Sequence, residues 1–575
     1  MNMYTYQDTL PRLPLPSLDS TCQKLLEWSN VFLTEEESME TQKAVNHFRS
    51  ELGMGPALQR ILGEMAEDPD VPNWLDPLWA ESYLCNPFPL PTGGNVTYII
   101  DKNPSMKKVS VPEFVVSVIG QLFEFNGLVL NESLKIDFQG SQPLCMSQYK
   151  TLLGTTRIPG ETQDSHIINS NASHVILIHR GHYYRLDILD QQGERIHPST
   201  LFDQVQEIYN SSMSTNELAP GVLTSLPRQQ WARLRDHLAE VSPENKESLW
   251  QVENALAVIV LDDHIPADDT QLFHHYFCGN PANRWYDKSL QFIFNGQGDF
   301  GVNYEHSGVD GTTVGHLISY LFQNLSPIEE TSRMESGNPA MEITFSLDER
   351  LKKEIKSAAE FNKRAHDHLA FQAVTFSAFG KEKIKQIGVS PDSFVQLSIQ
   401  LAQSKSLDRV YNVYESVMTK RFLHGRTETM RPVTKESLAF VQSPTLENLK
   451  TASVKHVERI KECQQGEGID RHLYGLKKIH EKHYPDRPLP DLFTSAGYKA
   501  ITVNHFSTST SNSAGIRYAG YGPAVEDGFG VCYRVLNDRI QFVLSSFGPQ
   551  AESLGKLTNA LMATVEELVT LSAPD

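Results

Sequence analysis

The chain has 575 residues, of which 40% are hydrophobic and 21% are charged, and its formal net charge is −19. A single hydrophobic core rarely grows beyond about 250–300 residues, so two domains, or three, are expected. The negative charge disfavours a nucleic acid or an anionic membrane as the main partner. A phosphate-bearing ligand would therefore need a local cluster of basic side chains.

Cysteine spacing and the two termini bear on the compartment. The six cysteines form no CxxC pair, which favours reduced thiols over a disulfide framework. The first residues lack the apolar stretch of a signal peptide and are not typical of a transit peptide. LSAPD at the end is not a peroxisomal address, and the most apolar stretch, 111–130, is interrupted by polar residues. We expect a cytoplasmic protein without an integral membrane segment, and we expect a monomer.

The predicted elements change in character along the chain. Helices are predicted near 19–33 and 36–66, after a proline-rich start. From about residue 95, short strand-like runs such as VTYII, HVILIHR and ALAVIVLDD alternate with helical segments such as PEFVVSVIGQLFEF. This alternation predicts a mixed α/β fold. Further helices are predicted to begin near 348 and 390.

A hairpin followed by a helix is predicted twice. LQFIFNGQGDFGVNYEH precedes TTVGHLISYLF, and GFGVCYRVLNDRIQFVLSSF precedes ESLGKLTNALMATVEELV. The last helix has an apolar stripe at helical spacing, formed by Leu554, Leu557, Leu561, Val565 and Leu568. The repetition indicates two similar α/β halves.

Two motifs receive a structural interpretation. GQGDFG matches the dinucleotide fingerprint GxGxxG, but that motif requires a following helix, and here it joins two predicted strands. A hairpin turn is therefore predicted. HHYFC contains His274, His275 and Cys278, but no second cluster at ligand spacing accompanies it, so no metal site is predicted.

His306 ends the strand FGVNYEH, on the face that Phe300, Val302 and Tyr304 share. A histidine in such a place is commonly a core residue. Its spacing to Asp310 in HxxxDG, however, resembles the signature of CoA-dependent acyltransferases. In those enzymes the histidine is the general base, and the aspartate organises the site.

Two further segments supply what CoA chemistry requires. The lysines of FGKEKIKQIG would form the cationic cluster that CoA phosphates need in an acidic protein. HFSTSTSNSAG offers Ser507, Thr508 and Ser509 as hydroxyl donors to an oxyanion or a ligand hydroxyl.

Taken in order, the motifs resemble the carnitine/choline acyltransferase family nearly end to end. They are LPRLPLPSLDSTCQKLLE, NRWYDKSLQFIF, YEHSGVDG, FGKEKIKQIGVSPDSFVQLSIQLA, YESVMTKRFLHGRTETMRP, DRHLYGLK, STST and YGPAVEDGFGVCY. The resemblance implies two similar chloramphenicol-acetyltransferase-like α/β domains with mixed sheets and an active-site tunnel at their interface. It implies an N-terminal helical segment (1–88) packed on the second domain, an N domain (89–348) with the catalytic histidine, and a C domain (349–575).

The resemblance also implies site residues. His306 would be the base for direct acyl transfer without an acyl-enzyme, with Asp310 organising the site and Ser509 on the oxyanion side. CoA, a co-substrate, would be held by Lys381, Lys385 and Asp392, and no permanently bound cofactor is expected. Carnitine would be held by Tyr414, Thr427, Thr429, Arg471, Ser507 and Tyr521.

Substrate preference depends on two places. Carnitine has a carboxylate that choline lacks, so its site should offer a cation and hydroxyl donors. Arg471, Thr427 and Thr429 match the carnitine enzymes of the family, so L-carnitine is expected. At Ala519, beside Gly520, the family's acetyl enzyme has a bulky Met. A medium or long acyl chain is therefore expected, unless a neighbouring side chain closes the pocket.

Three alternatives remain open. A choline O-acetyltransferase would be preferred if Arg471 did not face the substrate. A non-catalytic acyl-CoA-binding relative would bind CoA without turnover. An acyltransferase for another alcohol is suggested by HxxxDG alone. One departure from the family is CNPFPLPTGGNVTYII, which replaces a more polar segment.

Overall fold

The computed structural model describes residues 2–328 and 339–571. The helices up to residue 324 are α1 (Leu18–Ser29), α2 (Glu35–Arg49), α3 (Gly55–Glu67), α4 (Asp76–Leu84), α5 (Leu90–Gly93), α6 (Val111–Leu130), α7 (Pro198–Tyr209), α8 (Arg228–Val241), α9 (Pro243–Glu253), α10 (Asp269–Phe277) and α11 (Gly311–Asn324). The later helices are α12 (Glu349–Asp367), α13 (Lys381–Gln386), α14 (Pro391–Leu407), α15 (Lys435–Gln442), α16 (Leu446–Gln464), α17 (Asp470–His483), α18 (Ala496–Thr502) and α19 (Ala551–Thr570).

The strands are named in the same way. The first eleven are β1 (Asn95–Ile100), β2 (Phe138–Gln139), β3 (Gln142–Pro143), β4 (Thr155–Ile158), β5 (Ser165–Ile168), β6 (His174–His179), β7 (His182–Asp187), β8 (Val258–Asp262), β9 (Leu290–Asn295), β10 (Phe300–Glu305) and β11 (Met341–Ile343). The others are β12 (Leu369–Phe376), β13 (Val413–Met418), β14 (Thr427–Met430), β15 (Phe506–Thr510), β16 (Ile516–Gly520), β17 (Phe529–Val535) and β18 (Ile540–Phe547).

Most strands belong to two large mixed sheets. The eight-stranded sheet has the order β11-β7-β6-β8-β9-β10-β1-β16, and the six-stranded sheet has the order β12-β18-β17-β15-β13-β14. β2 pairs with β3, and β4 pairs with β5, as two small separate sheets. The α/β class with mixed sheets that the sequence predicted is confirmed.

Six strands of the larger sheet have the topology of the smaller one. Across β1-β10-β9-β8-β6-β7 the neighbours pair antiparallel, antiparallel, parallel, parallel and antiparallel. Across β12-β18-β17-β15-β13-β14 the pairings run in the same order. Corresponding strands also follow one another in the same order along the chain. The two halves are therefore similar, and the two predicted hairpin–helix units, β9-β10-α11 and β17-β18-α19, occupy equivalent places.

Strand β16 joins the two regions of the chain. It pairs antiparallel with β1 at the edge of the larger sheet, with Ala519 opposite Tyr98. The larger sheet therefore contains a strand from the predicted C domain, and the proposed boundary between residues 348 and 349 stays a prediction.

Side-chain packing covers both sheets. The ring centres of Phe273 and Phe277 of α10 lie 5.2 and 5.1 Å from the ring centre of Phe371 of β12. Helix α10 therefore packs against the smaller sheet. Helices α1 to α4 share a hydrophobic core with α17, including contacts around Trp74 and Leu473. The predicted apolar stripe of α19 is buried in the core of the smaller half.

Two local predictions have different outcomes. The GQGDFG segment is the turn of the antiparallel β9-β10 hairpin, as predicted, and Gly298 has a φ of 70°, which favours glycine. The helical stretch predicted at 36–66 is divided into α2 and α3. The chain leaves α2 at Ser50, whose backbone is extended, and α3 begins at Gly55. In the turn between them, a Cβ at Gly53 would lie 2.1 Å from the carbonyl oxygen of His47, so the close approach there requires glycine.

One helix within the described ranges, α6, is long and apolar enough to cross a membrane by length and composition. In this structure it packs on the larger sheet. Phe114 lies 5.3 Å from Phe294 and 5.1 Å from Phe300, between ring centres, and Ile119, like Phe114, is buried. Its apolar residues therefore serve the core of the larger half.

Candidate active site

His306 lies at the end of β10, where the chain leaves the larger sheet for α11. Its Nδ1 is 2.5 Å from the carbonyl oxygen of Val309. A carbonyl oxygen only accepts hydrogen bonds, so Nδ1 carries the proton of the neutral ring and Nε2 is the unprotonated nitrogen. The half-buried ring lies 5.8 Å from both Tyr83 and Tyr304. The loop therefore presents a histidine in the tautomer that a general base requires.

Asp310 holds this loop through an ion pair with Arg426. Arg426 Nε lies 2.9 Å from Asp310 Oδ2, and the same guanidinium donates to the carbonyl oxygens of Ser307 at 2.8 Å and His306 at 3.3 Å. Burial opposes ionisation of Asp310, but the charges of Arg426 and His306, together with hydrogen bonds from Arg426 and Gln148, outweigh it and hold the pKa of Asp310 below its ordinary value. Asp310 and Arg426 thus hold the loop in place, and the predicted role of Asp310 in a catalytic site stays a prediction.

The smaller sheet presents a patch of hydroxyl groups. Tyr414 is opposite Ser507 across β13 and β15, and Ser416 is opposite Thr429 across β13 and β14. Opposed residues project from the same face, and side chains two apart on one strand share a face. The structure therefore brings together on one face most of the predicted carnitine-binding residues, namely Tyr414, Thr427, Thr429 and Ser507, with Ser509.

Ser509 has a partner that the sequence did not predict. Its Oγ is 3.3 Å from the Oγ of Ser416 on the neighbouring strand β13. Both side chains are only partly buried. Either hydroxyl can be the donor in this contact, and when Ser416 donates, the Ser509 proton is free to bond a ligand.

Arg471 is buried at the other end of the hydroxyl patch. Its Nε donates to the carbonyl oxygen of Thr427 at 3.1 Å, and Nη1 lies 3.0 Å from Asp470 Oδ1. Burial acts against its charge, but nearby Tyr414, Asp470, Glu428 and Tyr83 together outweigh burial and raise the pKa of Arg471. The side chain is therefore a permanent buried cation beside Thr427.

Helix α4 connects Arg471 with His306 through two aromatic rings. Trp79 stacks on the Arg471 guanidinium and lies 5.6 Å from Tyr83, which is next to His306. Burial raises the pKa of Tyr83 to about 12, so its hydroxyl stays a donor at neutral pH. Sequence reasoning missed both residues. The available signal was their spacing of four, which places them on one face of a helix.

Ala519 lies on β16 at the edge of the larger sheet, and Tyr521 directly follows that strand. Tyr521 donates to the carbonyl oxygen of Ser507 at 3.1 Å, which anchors its ring beside the hydroxyl patch. Ala519, followed by Gly520, packs in the core that contains Tyr98 and Cys532. The Tyr98 hydroxyl is 3.1 Å from that of Tyr304 and 3.4 Å from the carbonyl oxygen of Gly311. Tyr98 is therefore the large neighbouring side chain beside Ala519.

An open cleft of about 570 Å³ lies beside α13, and two of the three predicted CoA residues line it. Lys381 and Asp392 line it, together with Thr510, which follows Ser509 on β15, and Arg539, a cation that the sequence analysis did not single out. Lys385 is exposed one turn after Lys381 on α13 and is not among the lining residues. Two of the three predicted CoA residues thus meet in the cleft.

A buried polar cluster lies beside Asp392. His456 Nε2 is 2.9 Å from Glu415 Oε2, His456 Nδ1 is 2.9 Å from Ser393 Oγ, and the Tyr533 hydroxyl donates to Asp392 at 2.6 Å. Burial, reinforced by the charge of Asp392, raises the pKa of Glu415 to about 8. Within residues 2–328 and 339–571, Asp392, Glu415 and His456 are three potential metal ligands within 4.8 Å of one another. Their mutual hydrogen bonds account for the grouping, and the absence of a metal site stays a prediction.

The HHYFC residues have separate partners. His274 Nε2 lies 3.3 Å from the carbonyl oxygen of His366, and His275 Nε2 lies 2.8 Å from Asp262 Oδ2. Cys278 is fully buried, and burial raises the pKa of its thiol. Each of these side chains thus has a partner or surroundings within the protein, and the absence of a metal site at the motif stays a prediction.

Comparisons with known proteins extend over almost the whole chain. The family model described as Choline/Carnitine o-acyltransferase matches residues 13–563. Carnitine O-acetyltransferase of Columba livia is 30% identical over 580 residues, covering 95% of this chain and 91% of that protein. Carnitine O-palmitoyltransferase 2, mitochondrial, of Homo sapiens is 30% identical over 590 residues, covering 94% and 89%.

Likeness to solved structures is much weaker. The first condensation domain of the CDA synthetase matches with a TM-score of 0.39 and 8% identity, over 87% of this chain and 95% of that one. This degree of likeness is too low to specify a fold or a function. The family match carries the assignment: the chain is an acyltransferase that belongs to the choline/carnitine O-acyltransferase family.

Proposed function

We propose that this protein transfers an acyl group reversibly between CoA and L-carnitine, with His306 as the general base. The observation that supports this most directly is the bond from Nδ1 of His306 to Val309, because it leaves Nε2 able to take a proton. A correctly placed base contributes typically about 10²–10⁴-fold to the rate. CoA is a co-substrate here, and no permanently bound cofactor is involved.

The proposed reaction is direct transfer. Nε2 of His306 removes the proton of the carnitine hydroxyl while that oxygen attacks the thioester carbon of acyl-CoA. The negative charge that develops on the thioester oxygen accepts a hydrogen bond from Ser509. When the C–S bond breaks, the departing CoA sulfur takes the proton from His306, so no acyl-enzyme forms and the base is regenerated.

Carnitine would lie on the hydroxyl patch. Its carboxylate would pair with the buried cation of Arg471 and accept hydrogen bonds from Tyr414, Thr427 and Thr429. Its trimethylammonium group would lie near Ser507 against the ring of Tyr521, a cation–π contact. Choline has the ammonium group but no carboxylate, so it would make no ion pair with Arg471 and would leave the Tyr414, Thr427 and Thr429 hydroxyls without an anionic acceptor.

CoA would enter from the cleft beside α13. Lys381 and Arg539 supply positive charge at the cleft, with Lys385 nearby, against the net charge of −19. β15 extends from Thr510 in the cleft to Ser509 and Ser507 at the hydroxyl patch. We therefore place the reaction in a tunnel between the two halves, which CoA and carnitine enter from opposite ends.

The acyl group would lie near Ala519. The small side chain of Ala519 favours a medium or long chain, since each buried CH₂ contributes about 0.8 kcal/mol. Gly520 adds no room, because a Cβ there would lie 2.7 Å from Phe273. Tyr98 is the neighbour that would close this space in a short-chain enzyme.

The direct test measures CoA release from acetyl-, octanoyl- and palmitoyl-CoA with L-carnitine or choline. We expect carnitine-dependent release that His306→Ala reduces by about 10²–10⁴-fold. Release with choline alone would instead support the choline O-acetyltransferase. CoA binding without release from any pair would support the non-catalytic relative, and release with neither carnitine nor choline but with another alcohol would support the third alternative.

Location and assembly are separate parts of the proposal. A cytoplasmic location is proposed, although one relative is named as mitochondrial. Fluorescence microscopy of the tagged full-length protein tests the location, and light scattering after size-exclusion chromatography tests the proposed monomer.

A further inference from the structure

Gln148 makes three hydrogen bonds to the segment that carries His306. Its Oε1 accepts from the backbone N–H of Asp310 at 2.9 Å and from the Thr313 hydroxyl at 2.8 Å. Its Nε2 donates to Asp310 Oδ2 at 2.7 Å. Gln148 is 7% exposed, so water does not compete for these bonds. One side-chain amide thus forms hydrogen bonds with both the backbone and the carboxylate of Asp310.

The hydrogen bond from Gln148 gives the Asp310 side chain a different partner from that of an ordinary N-cap residue at the start of α11. An aspartate in this position ordinarily caps its helix by accepting from a backbone N–H two or three residues later. Here the Asp310 side chain makes no capping bond. Its carboxylate instead accepts hydrogen bonds from Gln148 and Arg426. The Arg426 guanidinium also donates to the carbonyl oxygen of His306. The Asp310 carboxylate therefore holds the His306 loop in place and does not cap the N–H groups at the start of α11.

Gln148 also joins the loop to the segment between β13 and β14. Thr313, which donates to Gln148, accepts from the buried Lys420 Nζ at 3.1 Å, and Lys420 also pairs with Asp137 at 3.1 Å. Lys420 and Arg426 both belong to the segment between β13 and β14. Gln148 therefore lies at the centre of a continuous network of hydrogen bonds and ion pairs. This network holds the His306 loop between the two halves.

We propose that Gln148 is a positioning residue for His306. This proposal rests on the proposed function, in which His306 is the base. The amide is the one uncharged group at this place that accepts from the Asp310 N–H and donates to the Asp310 carboxylate at the same time. Without it, Asp310 and the loop can shift, and a misplacement of about 1 Å at a reacting group can cost about 10²-fold in rate.

Two substitutions test the proposal. For each variant, kcat and KM are measured over a range of pH. Gln148→Leu removes all three bonds, and we expect kcat to fall by about 10–10²-fold while KM for both substrates changes by less than about twofold. Gln148→Glu keeps the shape and the acceptor but sets a carboxylate against Asp310. A protonated Glu can donate as the amide does, so the ratio of variant to wild-type kcat should rise as the pH falls from about 8 to about 6.

Gln251→Glu is the matched control. Gln251 is 8% exposed and donates to the exposed Glu247 at 3.1 Å, so the same substitution places a carboxylate beside an acid at a buried glutamine. Gln251 lies on α9, and its side chain donates to Glu247 of the same helix and not to the His306 loop. We expect Gln251→Glu to lower thermal stability less than Gln148→Glu, because solvent screens the charge of Glu247, and to cause no pH-dependent loss of kcat.

The possible outcomes separate two failures. A wild type that is inactive with carnitine and choline would reject the proposed function itself. An active wild type with an unaffected Gln148→Leu variant would reject only the positioning role. If Gln148→Leu does not fold, the pH dependence of Gln148→Glu decides: a kcat ratio that is constant with pH would overturn the proposal.

Discussion

The guanidinium carbon of Arg471 lies 3.8 Å from the centre of the Trp79 ring. A stacked arginine loses fewer orientations when it binds a carboxylate, because its plane is already fixed. The cation that we assign to carnitine recognition is therefore preorganised by a residue from helix α4, far away in the sequence.

Replacing Arg471 should change acceptor specificity. Hydrogen bonds to charged groups contribute about 1.5–3 kcal/mol, so we expect Arg471→Asn to lower kcat/KM for L-carnitine by about 10–150-fold. KM for acyl-CoA in the same variant is the internal control and should not change. Steady-state kinetics with carnitine and choline check this, and an unchanged carnitine KM would remove Arg471 from the site.

The pair Ser416 and Ser509 should act as a unit. Removing an oxyanion donor costs about 10²–10³-fold in kcat, which we expect for Ser509→Ala. Ser416→Ala should cost less, because it only frees the Ser509 hydroxyl to rotate. In the double variant the loss should be smaller than the product of the two single losses. Fully multiplicative losses would show that the 3.3 Å contact is not used.

Lys381 should contribute to CoA binding by its charge. We expect Lys381→Gln to raise KM for acyl-CoA by about tenfold, and to weaken the dependence of that KM on salt. Lys383→Gln is the control, because Lys383 is exposed on the same helix and does not line the cleft. Equal effects of the two substitutions would indicate general attraction and no specific contact.

Stability should depend on pH through Glu415. Its pKa of about 8 lies above the ordinary value, so the folded state holds a proton that the unfolded state has released. This group's contribution is therefore fully present at acid pH and declines as the pH rises from about 4.5 to about 8. Glu415→Gln should be more stable relative to wild type at alkaline than at acid pH. Thermal unfolding at several pH values, with exposed Glu447→Gln as the control, measures this; a constant difference would reject it.

Acyl-chain preference should respond to Ala519. Ala519→Met would occupy the place that we propose for the acyl chain, so we expect octanoyl and palmitoyl transfer to fall by about tenfold or more while acetyl transfer is retained. CoA release from the three thioesters checks this. A wild type that already prefers acetyl-CoA would show that Tyr98 closes the pocket, and Tyr98→Ala should then admit octanoyl groups.

Local patterns predicted much of this fold. The stripe of α19 and the β9-β10 turn follow from periodicities within a few residues, and both are confirmed. Gln148 and Trp79 were not predicted, because their importance comes from Asp310 and Arg471, which only tertiary packing brings near them. The crossing of β16 to the larger sheet is likewise a pairing that no local pattern encodes.

The same crossing has a consequence for biosynthesis. During translation β1 is completed long before Ile516–Gly520 leave the ribosome, so its outer edge keeps unpaired backbone N–H and C=O groups for most of that time. A nascent chain with such an edge is prone to pair with another chain. We expect polypeptides truncated before Ile516 to aggregate, and native assembly to be largely post-translational.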